Sequence, residues 1–121
     1  FSGGADLARE CVRHGAWLSF PGVLTFKNAE RTRQALHATP VDKILVETDA
    51  PFLTPHPRRG KRNGPYLIAH TIRFLSEQLD WDEASCCEQL RRNTLAAYGG
   101  PWEDVHGVTP LQLPASGEET R

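Results

Sequence analysis

Hydrophobic and polar positions alternate between two kinds of pattern over the first hundred residues. In the segment 5–14, Leu7, Ala8, Cys11 and Val12 recur at helical spacing. Gly15 follows as a stop, because glycine tolerates the positive φ that closes a helix. Trp17, Leu18 and Phe20 form a short apolar run suited to a buried strand, broken by Pro21 and Gly22. A second helix is expected at 28–37, with Asn28 as its N-cap and Ala29, Ala35 and Leu36 along it. The clearest strand is expected at 43–48. Its centre, Ile44, Leu45 and Val46, shows no alternation, as in a strand buried on both faces.

Periodicity is lost over 49–65, a stretch rich in proline and glycine that holds Arg58, Arg59, Lys61 and Arg62. A loop of that length inside a compact domain is usually functional. Helical spacing returns over 66–79, with Leu67, Ile68, Ile72, Leu75 and Leu79 on one side. Asp82 is placed to cap a helix through Leu90, and Asn93 to cap a short last one through Tyr98. The segment 100–121 has three prolines and no period, and a disordered tail is expected there.

Helix, strand, helix, strand, loop, helices is the order of parallel βα units, so the fold class is α/β. Two strands do not cover both of their faces, so further strands are expected outside this sequence. The start at Phe1 and the lack of any methionine among 121 residues point to the same missing N-terminal part. No apolar run approaches the ~20 residues that span a bilayer, and no leader pattern is present, so no membrane association is expected. A net charge of -1 exerts no global pull on nucleic acid, so any such binding must come from a local patch. The cysteines are odd in number, Cys86 and Cys87 are adjacent, and there is no C-x-x-C. That pattern argues against a disulfide framework or a structural zinc site, and for a reducing, cytoplasmic setting.

Asp49 follows directly on the clearest strand. In parallel βα architectures the C-terminal strand ends form the active-site face, where a carboxylate can reach a metal ion. The competing reading is a side-chain hydrogen bond within the turn before Pro51. Glu47 lies two residues earlier and so on the same side of the strand. A carboxylate beneath the site needs a partner, so Glu47 is expected to pair with a basic group there, unless it faces solvent at an edge. Arg58, Arg59, Lys61 and Arg62 crowd the segment 56–63, and arginine forks suit phosphate oxygens. Beside a metal site this patch fits a polyanion, although a charge run is also the mark of a solvated loop. Lys27 and Asn28 open the helix after the first strand, on the same face as Asp49, where a helix N-terminus favours an anion. Of the histidines, His56 is a candidate for substrate contact, whereas His14, His37, His70 and His106 read as ordinary helix or tail residues.

Four blocks resemble the TatD family of metal-dependent deoxyribonucleases: Phe1-Ser2-Gly3, the run from Gly22 to Ala29, the run from Val46 to Leu53, and Arg59-Gly60-Lys61-Arg62-Asn63. The resemblance covers residues 1–99. It implies the C-terminal βα units of a (β/α)8 TIM-barrel metallo-hydrolase, an incomplete barrel in this chain. It also implies divalent metal ions (Mg, Mn or Zn), two in the full-length enzyme, held at the strand C-termini. Asp49 matches a metal ligand that also orients or deprotonates the attacking water. The other ligands would lie upstream: an H-x-H pair, a glutamate and two further histidines, the last just before the point that Phe1 matches. DNA is the implied substrate, with Lys27, Arg59, Lys61, Arg62 and Asn63 on its phosphates. Gly64 departs from the pattern, which commonly has glutamate there, so a brace of the basic loop is expected to be missing. Rival expectations are an amide or lactone hydrolase on the same barrel, and a non-catalytic binding remnant. With one carboxylate of the several ligands, the isolated chain is expected to be inactive as a nuclease.

Overall fold

A computed structural model describes residues 1–99. The elements are α1 (Ala5–Arg13), β1 (Leu18–Phe20), α2 (Glu30–His37), β2 (Ile44–Val46), α3 (Ile68–Gln78) and α4 (Glu83–Tyr98). Short 3-10 turns occupy Gly22–Thr25, Val41–Lys43 and Pro65–Leu67. The expected tail at 100–121 lies outside the described residues. No helix among the described residues is long and apolar enough to cross a membrane.

The two strands pair in parallel, with Leu18 opposite Ile44, Ser19 opposite Leu45 and Phe20 opposite Val46. The α/β expectation therefore holds, with α2 as the crossover of one βαβ unit. Because side chains alternate, Leu18, Phe20, Ile44 and Val46 share one face of the pair. That face meets the core made by Ala8 of α1, Leu24, Ala35 and Leu36 of α2, Leu75 of α3, and Cys86 and Leu90 of α4. Leu45, Glu47 and Ser19 belong to the opposite face. All three cysteines are free thiols.

Local chemistry explains most boundaries and corrects three of them. β2 is shorter than expected because Lys43 is drawn into a turn, its N–H donating to Pro40 O at 2.9 Å, and because the chain reverses at Asp49. Asn28 is not the cap of α2. Ala29, nearly fully buried, holds that position and enters the helix from a turn closed by its own N–H on Phe26 O. α3 is preceded by a 3-10 turn with Pro65 at its start, where a missing N–H costs nothing. It ends in a Schellman arrangement: Trp81 N–H reaches Ser76 O at 2.9 Å, Asp80 N–H reaches Glu77 O at 3.2 Å, and Asp80 sits at φ +52°.

The two helices expected over 82–98 are one. Asp82 caps it as anticipated, accepting from Ser85 N–H at 2.9 Å. Asn93 starts no second helix. It lies inside α4 and is 2% exposed, and its Nδ2 donates to Val41 O and Ile44 O at 2.8 Å each. Its Oδ1 accepts from Gln89 one turn back, also at 2.8 Å. A short polar residue that reads locally as a cap is here the peg joining the last helix to the entry of β2.

Candidate functional site

β2 hands its last ladder bond to Glu47, whose N–H donates to Phe20 O at 3.2 Å. Two residues on, Asp49 adopts the left-handed conformation at φ +55°, which aspartate tolerates better than most residues. The turn is closed by backbone and by a neighbour. Phe52 N–H donates to Asp49 O at 2.8 Å, and Ala50 N–H donates to Thr48 Oγ1 at 3.3 Å. The Asp49 carboxylate takes no part in it. The side chain is exposed and has no hydrogen-bond or ion-pair partner among the described residues, which removes the local-turn reading of this aspartate.

Asn63 braces that turn. It is 6% exposed, and its Nδ2 donates to Thr48 O at 2.6 Å and to Phe52 O at 2.7 Å. Its Oδ1 accepts from Gly64 N–H at 2.9 Å, and its own N–H reaches Pro51 O at 3.2 Å. Two carbonyls on one side and one N–H on the other leave a single consistent orientation for the amide. Asn63 was expected among the phosphate contacts. The structure corrects this, since both amide hydrogens are engaged by backbone and the group is buried behind the turn that carries Asp49.

The cationic loop is also pinned. Arg58 N–H reaches Pro55 O at 2.9 Å, and Lys61 N–H reaches Arg58 O at 3.1 Å. Buried Thr54 donates through Oγ1 to Lys61 O at 2.7 Å. Arg59 donates to Thr54 O at 3.3 Å, and its guanidinium lies 3.9 Å from the centre of the Phe26 ring. That distance is favourable for a cation–π contact and fixes the plane of the fork. Arg59, Lys61 and Arg62 are all exposed.

Phe26 belongs to the loop after β1, so the two loops form one surface. The same ring meets His56 edge-on at 6.3 Å, and His56 N–H donates to Thr25 Oγ1 at 2.9 Å. Gly22 allows the approach: a Cβ there would stand 2.6 Å from Leu53 O and 3.1 Å from the Pro55 ring. Lys27, next along, is exposed. Arg33 holds this loop from behind, with Nη1 on Leu24 O at 3.2 Å and Phe26 O at 2.6 Å, Nη2 on Lys27 O at 3.4 Å, and an ion pair to Glu30 at 3.3 Å. Nothing local marks Arg33 in the sequence; only its place on the inner side of α2 distinguishes it.

Glu47 is partly exposed. Among the described residues no basic side chain pairs with it, contrary to expectation, and its Oε1 lies 3.7 Å from the Phe1 backbone nitrogen. Near the loop, His70 has its pKa lowered by burial first and then by the positive charges of Arg73 and Arg58, which favours the neutral ring. Gly64 is buried, and the Tyr66 ring fills the space where a side chain would begin.

Among the described residues no three histidine, cysteine, aspartate or glutamate side chains are placed to hold a metal ion together. Asp49 fits one position of such a centre: a hard oxygen donor, unpartnered, on a braced turn. The other positions are not filled by residues 1–99.

A parallel βα scaffold that presents a free carboxylate and a cationic loop from its strand ends has the frame on which α/β-barrel enzymes place their chemistry. The chain belongs to the TatD related DNase family, whose model matches residues 1–99. It is 42% identical over 102 residues to an uncharacterised metal-dependent hydrolase, TatD, of Mycobacterium tuberculosis, covering 84% of this chain and 39% of the relative. It is 47% identical over 77 residues to a similarly described hydrolase, YabD, of Bacillus subtilis, covering 64% of this chain and 30% of that protein. Among solved structures it resembles YjjV, a TatD homologue from Escherichia coli, with a TM-score of 0.76 and 28% identity over 84% of this chain and 39% of that one. The chain thus spans well under half the length of these relatives.

Proposed function

We propose that this chain supplies the C-terminal βα units of a TatD-type barrel hydrolase that cleaves DNA phosphodiesters with divalent metal ions. The observation that carries this reading is the Asp49 side chain, left without a partner on a turn braced by Asn63, beside a loop whose Arg59 fork is held on Phe26. Two ions, of magnesium, manganese or zinc, would polarise a phosphoryl oxygen and lower the pKa of a bound water. Asp49 would be one ligand of that centre and would help orient the attacking water. Arg59, Lys61, Arg62 and Lys27 hold substrate phosphates and offset the charge that develops on them. The remaining ligands come from the other strands of the barrel. Free thiols fit a reducing, cytoplasmic setting for this enzyme.

The test uses the protein carrying this chain within a full barrel. Asp49→Ala should abolish metal-dependent cleavage of a labelled oligonucleotide, while Lys61→Ala with Arg62→Ala should mainly raise KM. Full turnover by the Asp49 variant sinks the assignment. Hydrolysis of amides or lactones, with oligonucleotides left intact, moves the enzyme to another bond on the same scaffold.

A further inference from the structure

Tyr66 follows the cationic loop and opens the turn into α3. Tyr66 is 59% exposed, yet its ring is seated on one side. A Cβ on Gly64 would stand 2.6 Å from Cε1, 3.1 Å from Cδ1 and 3.3 Å from Cζ of that ring. The glycine itself is fixed, since its N–H donates to Asn63 Oδ1, on the same amide that braces the Asp49 turn. Its backbone, at φ -148° and ψ 162°, is extended and open to any residue. Gly64 is therefore not required by its own conformation; its lack of a Cβ leaves the space that the ring occupies. The exposed cations Lys61 and Arg62 stand five and four residues before Tyr66 on the same pinned segment.

We infer that the Tyr66 ring, seated on Gly64, is a stacking platform for a nucleobase of a polynucleotide whose phosphates lie on Lys61 and Arg62. The inference rests on the phosphate reading of the loop given above and adds a contact to the base. A ring supported on one side and open on the other gives up little side-chain freedom on binding. Stacking of a base on an aromatic ring is sequence-tolerant, because every base has a π-face.

The test measures fluorescence anisotropy of labelled oligothymidylate, and of an abasic chain of equal length, binding in EDTA to the protein that carries this chain within a full barrel. The wild type should bind the base-bearing chain about tenfold more tightly than the abasic one, within the range for one stacked base. Tyr66→Ala should bring that ratio close to one without changing abasic affinity, and Tyr66→Phe should keep it. Gly64→Ala should also lower the ratio, because the new methyl displaces the ring and leaves the backbone as it was. Lys61→Ala with Arg62→Ala should weaken both probes alike. Equal binding of the two probes by the wild type, or an unchanged ratio in Tyr66→Ala, overturns the stacking inference alone. Failure of either probe to bind at low salt removes the phosphate reading of the loop and this inference with it.

Discussion

Replacing Asn63 should reveal how firmly the Asp49 turn is held. The side chain makes three hydrogen bonds, two as donor to Thr48 O and Phe52 O and one as acceptor from Gly64 N–H. Each such bond contributes about 1 kcal/mol net, and a buried group left without a partner costs about 1–3 kcal/mol. In Asn63→Ala the two carbonyls lie on residues that solvent reaches, so water replaces part of what they lose. The Gly64 N–H is in buried backbone and has no such recourse. The expected loss is therefore roughly 2–4 kcal/mol, a large share of the ~5–15 kcal/mol that holds a domain together. Asn63→Asp keeps the acceptor for Gly64 but turns a carboxylate oxygen towards two carbonyl oxygens at hydrogen-bond distance. It should be the worse substitution at neutral pH, although it is nearly isosteric. Urea unfolding followed by tryptophan fluorescence measures both. A loss below about 0.5 kcal/mol for Asn63→Ala, or a milder effect for Asn63→Asp, would refute the clamp.

Three further outcomes are expected. Asp80→Gly should raise stability by roughly 0.5–1 kcal/mol in the same assay, because relief of a left-handed residue, worth about 1–2 kcal/mol, outweighs the greater chain entropy of glycine. Asp82 has its pKa lowered, chiefly by its hydrogen bonds from Ser85, so its folded pKa lies below the unfolded one. Its stabilisation is thus complete above the ordinary carboxylate pKa and lost as pH falls from there through the lowered folded pKa, and Asp82→Ala should flatten that acid limb of the stability profile. Burial pushes the Cys86 thiol up to about 11, so alkylation at pH 8 with mass mapping should label Cys86 only when denaturant is added. Rapid labelling in native buffer would contradict the packing described for α4.

The α/β class, the two strands and the first three helices were legible because each rests on a local signal: an apolar block of β-branched and leucine residues, a helical period, a glycine or proline stop. The cap at Asp82 was readable for the same reason, since a capping side chain acts within three residues of itself. Asp49 could be singled out from its place at a strand end, and the cationic loop from its composition. Asn28, Asn63 and Asn93 could not be sorted this way. All three are short polar side chains next to helices or turns, and sequence alone assigns each a cap or a ligand contact. In the fold one lies exposed without capping, one ties the Asp49 turn together, and one pegs α4 to β2.

Arg33 and Tyr66 escaped notice because their partners lie on other elements or on an otherwise unremarkable glycine. What the sequence determined by itself was where the chain is helical or extended and where its charge is concentrated, since these depend on neighbours within a few residues. What only the tertiary structure decided was which polar groups face inward to satisfy buried backbone and which remain free, as Asp49 does. That choice depends on which carbonyls and N–H groups packing brings within about 3 Å, and packing joins positions far apart in the chain.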